Sequence, residues 1–273
     1  MMMTVHMEPK ELIRAGRLTE ARTLLTEAVK ASPADMGLRT LLFQVLVFFG
    51  EWDKAKKQLE VILNQDPGRE TGVQVYLNLV LAEQERLEVA TLQRRPTFYP
   101  QAPPYAEAYF AAWDKVTQQQ FEEGEKLFDE IHAQRPEVTG TLDGRSFIGF
   151  GDTDSFLSCF LELIIQAHYV WVPIESLREL VIPAPKTLFD LIWLPVRINT
   201  TEGLSLVGYA PVVYPQSHVH EDERVKMGRM TAWVDLGGGF ARGCGQHVYD
   251  VGEEEVGILD IREMSFTQSP VRP

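Results

Sequence analysis

Residues 49–68 read FGEWDKAKKQLEVILNQDPG, and residues 15–34, AGRLTEARTLLTEAVKASPA, carry the same signals in the same order. Gly16 matches Gly50, Leu18 matches Trp52, Ala21 matches Ala55, Leu25 matches Leu59 and Pro33 matches Pro67, each pair 34 residues apart. That period reads as a helix-turn-helix repeat. The glycine closes the first helix, because a positive φ costs little without a Cβ. The large residue after it covers the turn. Ala21 and Ala55 fall where the second helix crosses the first, and only a small side chain lets the backbones approach there. Pro33 and Pro67 cannot continue a helix, so they end the hairpin.

Both copies resemble tetratricopeptide repeats. A third, worn copy is read in TQQQFEEGEKLFDEIHAQRPE, residues 117–137, with Phe121, Gly124, Phe128, Ile131 and Pro136 in the equivalent places and Gln119 where the turn glycine stands. In such hairpins the first helix lines the concave surface. Counted from Gly50, the groove-lining positions are Thr40, Gln44 and Val47, and one period on they are Gln74 and Asn78, with Leu81 beside them. Amides among apolar neighbours can hydrogen-bond a bound chain, and in a plain core they are costly unless paired. Gln44 and Asn78 have a second possible role, pairing with a proline-rich connector that fills the groove itself.

That connector is QRRPTFYPQAPPY, residues 93–105; four prolines rule out a regular helix and predict an extended path against the helices. Helical periodicity covers residues 8–92 before it, and two further helices are expected near 104–118 and 121–134. Residues 1–137 are thus expected to form a helical repeat domain. From residue 138 the texture changes to VTGTLDGRSFIGFGDTDSF. A helix is expected near 153–167, N-capped by Asp152 or Thr153, and a short one near 175–180. The rest reads as strands: HYVWVPI, LIWLPVRINT, SLVGYAPVVY, RMTAWVDLG, CGQHVYDVG and VGILDIREMSF. Residues 138–273 are therefore expected to form an α+β domain with an antiparallel sheet or small open barrel, making the chain multidomain, α and α+β.

The 273-residue chain is long enough for two cores and carries a net charge of −13, unevenly spread. Residues 1–136 hold 16 basic and 20 acidic side chains; residues 137–273 hold 10 and 19. Neither half offers a basic face for phosphates, which argues against nucleic acid and anionic lipid and for protein partners or basic segments. The start, MMMTVHMEPKEL, lacks the apolar run of a secretory signal, and Met7 offers an alternative start. The apolar stretch 156–173 is interrupted by Glu162, Gln166 and His168 and falls short of the roughly 20 residues of a membrane span. Two cysteines, Cys159 and Cys244, make neither a metal spacing nor a disulfide framework, and a reduced, cytoplasmic setting is the simplest reading.

Several clusters invite chemistry. In SHVHEDE, residues 217–223, His218 and His220 would share one face of a strand beside three carboxylates, donors that zinc accepts. No third imidazole or thiolate stands at a recognised spacing, and the flanking residues read as an exposed polar loop. DLGGGFARGCG, residues 235–245, lacks the lysine and hydroxyl ending of a phosphate cradle and reads as a hairpin or bulge. Cys244 could be exposed and reactive, with no nameable base. Asp143, Asp152 and Asp154 lack the closing glutamate of a calcium loop. Trp171, Trp193 and Trp233 are expected to fill the core. No catalytic site and no cofactor are read.

The strings DTDSFLSCFLELI, HYVWVPIESLREL, PKTLFDLIWLPVRI and GYAPVVYPQS resemble the signature of the ImpE family, also called TagJ or SciE. The resemblance extends over nearly the whole chain, because that family also begins with a short tetratricopeptide-like region. It implies a cytoplasmic, non-catalytic accessory protein of type VI secretion. It further implies association with the contractile sheath through the N-terminal helix of the small sheath subunit TssB, and a link to the ClpV ATPase that recycles contracted sheath. No binding motif carries over residue by residue. The competing reading is a metal- or ligand-binding enzyme around His218 and His220. Stoichiometric zinc, lost in a His218→Ala/His220→Ala double variant, would favour it.

Overall fold

The computed structural model describes residues 7–268. Its first half is a run of helical hairpins: α1 (Pro9–Arg14) and α2 (Leu18–Ala31), α3 (Met36–Phe48) and α4 (Trp52–Gln65), the long α5 (Glu70–Ala90), then α6 (Ala106–Thr117) and α7 (Phe121–Gln134). Gly16 and Gly50 close α1 and α3 at φ 77° and 65°. Gln119 takes the same left-handed conformation at φ 61°, so the worn copy keeps the turn despite its side chain. Ala21 and Ala55 are fully buried. Gly124 stands at their place in α7, where an added Cβ would lie 3.0 Å from Val116 Cγ2 and 3.3 Å from the Ala112 carbonyl oxygen.

The second half is built on strands: β1 (Thr97–Phe98), β2 (Val138–Leu142), β3 (Arg145–Ile148), β4 (Phe150–Asp152), β5 (Phe160–Ile165), β6 (His168–Pro173), β7 (Leu177–Val181), β8 (Trp193–Thr200), β9 (Ser205–Pro211), β10 (Thr231–Gly237), β11 (Phe240–Gly245), β12 (Val248–Val251), β13 (Glu254–Gly257) and β14 (Glu263–Gln268). Nine of them form an open sheet in the order β1-β6-β5-β9-β8-β7-β14-β2-β3. Every neighbouring pair in it is antiparallel except β1 and β6. Strands β13, β12 and β4 make a small second sheet, and β10 and β11 a two-stranded ribbon.

Three expectations are corrected here. Residues 153–167 form no helix: after turns at 154–159 the chain enters β5, reverses at Gln166 (φ 58°) and returns as β6, pairing Ile165 with His168. Both faces of β5 are buried, so FLELII is apolar without alternation, and such a run cannot be told from a buried helix by periodicity. Asp152 and Thr153 accordingly cap nothing. The helix near 175–180 is a single 3-10 turn, Ile174–Ser176, leading into β7. The connector is extended as expected, and Arg95 lies over the Phe110 ring of α6 at 3.8 Å. It also adds β1 to the sheet, pairing Thr97 with Val170 and Phe98 with Trp171.

Helices and sheet share their cores. Phe43 and Tyr76 of the repeats pack on Phe189, with Tyr76 stacked at 4.0 Å, and Phe43 lies 6.5 Å from Trp193. Phe189 and Trp193 thus lie against α3 and α5, and the connector meets the end of α5 through Arg94, 3.3 Å from Glu85 Oε1. Phe110 stacks on Trp171, while Tyr109 and Trp113 meet Phe160 and Phe156 edge-on at 5.0 and 5.1 Å. Trp171 and Trp193 fill the core as expected. Trp233 does not: it stands 44% exposed on the ribbon, outside both sheets.

Candidate functional site

The predicted groove residues divide into two environments. On α3, Gln44 and Val47 are buried and Thr40 is half-buried, its hydroxyl donating to the Met36 carbonyl at 2.8 Å. On α5, Gln74 and Leu81 are exposed and Asn78 is half-buried, with Gln74 Nε2 donating to Asn78 Oδ1 at 2.8 Å. Val47 faces a cavity of about 30 Å³ shared with Trp52, Glu83, Arg86, Ser217 and His218, room for roughly one water.

Below that cavity lies a cluster that reading by motif does not find. Glu83 and Arg86, three apart on α5, project from one face, and Arg86 Nη1 donates to Glu83 Oε2 at 3.2 Å. Arg86 also pairs with both carboxylate oxygens of Glu162 on β5, through Nε at 3.0 Å and through Nη2, and donates to the Val213 carbonyl at 2.6 Å. His247, between β11 and β12, sets Nε2 at 2.7 Å from Glu162 Oε1 and Nδ1 at 2.8 Å from Asp152 Oδ2. Tyr214 donates to Asp152 Oδ1 at 2.7 Å and Tyr169 to Glu162 Oε2 at 2.6 Å; Trp171 and Trp193 donate to Tyr169 Oη and Glu83 Oε1. All five ionisable groups are buried.

The charges follow from this geometry. Burial disfavours the His247 cation, but a carboxylate on each ring nitrogen outweighs it and pushes the imidazolium up to about 9. Burial likewise works against the Glu162 anion, and Arg86 with His247 holds that carboxyl well below the usual range. Burial raises Asp152, against the pull of His247. The cluster faces packed protein rather than a substrate-sized space, and it ties α5 to β5, β4 and the β11–β12 corner. Its signal in the sequence was faint: single charges inside apolar runs, such as Glu162 in FLELII.

The tempting motif comes apart. His218 and His220 do not share a strand face: Ser217–Val219 is a 3-10 turn, followed by α8 (Glu223–Lys226). His218 packs edge-on to Trp52 at 6.2 Å, and burial lowers its pKa. His220 Nδ1 accepts from the Asp222 amide at 3.0 Å, Asp222 caps α8, and Glu223 accepts the Leu18 and Thr19 amides at the start of α2. Among the described residues no group of three metal-type side chains converges. The glycine run is the expected hairpin, with Gly237, Gly238 and Gly239 at φ 91°, 60° and 81°. Burial pushes the Cys244 thiol up, away from reactivity. Among the described residues no helix is long and apolar enough to cross a membrane.

Comparison with known proteins agrees with this architecture. A tetratricopeptide repeat model matches residues 12–74, and the ImpE protein family model matches residues 144–265. The crystal structure of a Vibrio parahaemolyticus protein superposes with a TM-score of 0.86 at 26% identity, covering 96% of this chain and 98% of that one. The type VI secretion system accessory component TagJ of Pseudomonas aeruginosa is 31% identical over 263 residues, 96% of this chain and 92% of the relative. With that identity along nearly the whole chain and the ImpE model on its second half, the chain belongs to the ImpE family.

Proposed function

We propose that this protein is a non-catalytic, cytoplasmic accessory component of a type VI secretion system, acting as an adaptor that binds the N-terminal helix of the small sheath subunit TssB and serves ClpV-driven sheath recycling. The observation that carries the reading is the relation to TagJ along 96% of the chain. The architecture is consistent with it: stacked helical hairpins present surfaces suited to a helix or extended peptide. Of the expected groove residues, Gln74 and Leu81 on α5 are exposed and Asn78 is half-buried, which supports that end as the partner surface, whereas Gln44 and Val47 are buried.

The test is titration of a peptide matching the TssB N-terminal helix into the full chain. The Gln74→Ala/Asn78→Ala double variant, folded as judged by circular dichroism, should bind about tenfold more weakly, equivalent to roughly 1.4 kcal/mol. Unchanged binding in that variant removes the α5 surface from the proposal. No binding by the unaltered protein removes the partner.

A further inference from the structure

The β10–β11 ribbon has one satisfied edge and one open edge. Along β11, the Ala241 amide donates to Ser155 Oγ at 3.0 Å, and its carbonyl accepts the Ser155 amide at 3.0 Å. The Gly243 amide donates to Asp154 Oδ2 at 2.7 Å and the Gly245 amide to Ser217 Oγ at 2.8 Å. Residues 241, 243 and 245 therefore turn their backbone groups to the body, which leaves 242 and 244 to pair with Val234 and Ala232 across the ribbon. By the same alternation the N–H and C=O of Thr231, Trp233 and Asp235 point outward from β10, and among the described residues no strand pairs with them.

An edge of this kind is ordinarily blunted by lysine, proline or a covering element. Strand β10, TAWVDLG, has neither residue; its one charge is Asp235, and Trp233, Val234 and Leu236 are exposed. The one cation on the ribbon, Arg242 across from Val234, is already paired with Asp154 Oδ2 at 3.0 Å. At the ribbon tip an added Cβ on Gly238 would meet Phe121, the first residue of α7, and that helix carries five carboxylates and one lysine. A second copy of the chain would bring the same acid against itself, on a molecule of net charge −13.

We propose that the free edge of β10 takes up an extended, lysine- or arginine-bearing segment of a partner protein as a third strand. Backbone hydrogen bonds to Thr231, Trp233 and Asp235 supply the pairing, apolar side chains cover Trp233 and Val234, and the partner's cations meet Asp235 and α7. This surface is distinct from the α5 residues above.

The probe is an end-blocked heptapeptide alternating lysine and valine, titrated into the full chain by calorimetry, with a glutamate–valine peptide as control. The lysine peptide should bind saturably and the glutamate peptide should not. Trp233→Pro removes an outward N–H without breaking the ribbon and should weaken binding at least about tenfold, whereas Trp233→Val, which keeps that donor, should cost much less. Amide exchange on the unaltered protein needs no variant: the peptide should slow exchange at Trp233 and Asp235. Equal losses in the two Trp233 variants would mean apolar docking without strand addition and would overturn the proposal. So would equal binding of both peptides, no slowing at those amides, or a self-associated protein that Trp233→Pro renders monomeric.

Discussion

Helix α5 meets the sheet half in two different ways along its length. Near its start, Val73 is buried in the core shared with the sheet, and Tyr76 stacks on Phe189. Two turns on, Glu83 and Arg86 enter a web of charge with Glu162, His247 and Asp152. The apolar end depends on area and fit, and side chains of similar volume can replace one another there. The ionic end is different. Taking five charges out of water costs several kcal/mol each before any pairing, so the cluster is poor evidence of net stability. It does demand one arrangement, because Arg86, Glu162, His247 and Asp152 find partners on elements other than their own. We read it as the feature that sets how the sheet seats on the repeats.

The largest effect expected from this contrast is at Arg86. Arg86→Met keeps the volume but leaves Glu83 buried without a cation and Glu162 with His247 alone, and should lower the unfolding free energy in urea by about 3–5 kcal/mol. A loss under about 1 kcal/mol, no more than an isosteric apolar swap, would erase the distinction between the two ends.

The second expectation concerns pH. His247 holds its proton in the fold up to about 9, against 6.5 for an exposed histidine. Its contribution is complete below pH 6.5 and is lost as pH rises through about 9, on the order of 3 kcal/mol. Glu162 acts in the opposite sense: its lowered pKa contributes above 4.5 and is lost as pH falls. Urea unfolding at mildly acidic and alkaline pH should show the alkaline decline, and His247→Gln should flatten it. An unchanged decline in that variant assigns it to other groups.

Within the repeats the effects are smaller and steric. Ala55→Leu should overpack the α3–α4 crossing and cost about 1–3 kcal/mol by thermal unfolding; no change would mean that the crossing has slack. Ala21→Leu should follow it, more mildly if the first hairpin frays. The smallest effect is a gain. Gln119→Gly relieves a left-handed non-glycine residue and should stabilise by about 1 kcal/mol. A loss there would show that the Gln119 side chain is wanted in that turn.

The repeats were legible because their determinants are local. A glycine at positive φ, a small residue five positions later and a proline stop act within one hairpin, and even the worn copy keeps its geometry through Gln119 and Gly124. The glycine-rich hairpin at 237–239 was legible for the same reason. The β5–β6 hairpin was not, because burial on both faces erases the alternation that marks a strand. Nor was the exposure of Trp233, since its alternating segment looks the same whether a strand lies inside a sheet or on a protruding ribbon.

What the sequence alone determined was the helical period, the turn positions, the strand-rich second half and the family. Tertiary structure alone decided that Phe189 and Trp193 lie against the repeats, that His218 and His220 go separate ways, and that Arg86, Glu162 and His247, up to 161 residues apart in the chain, share one buried site. Local conformation is written by near neighbours; which charges meet is settled only when distant elements pack and must find partners for what they bury.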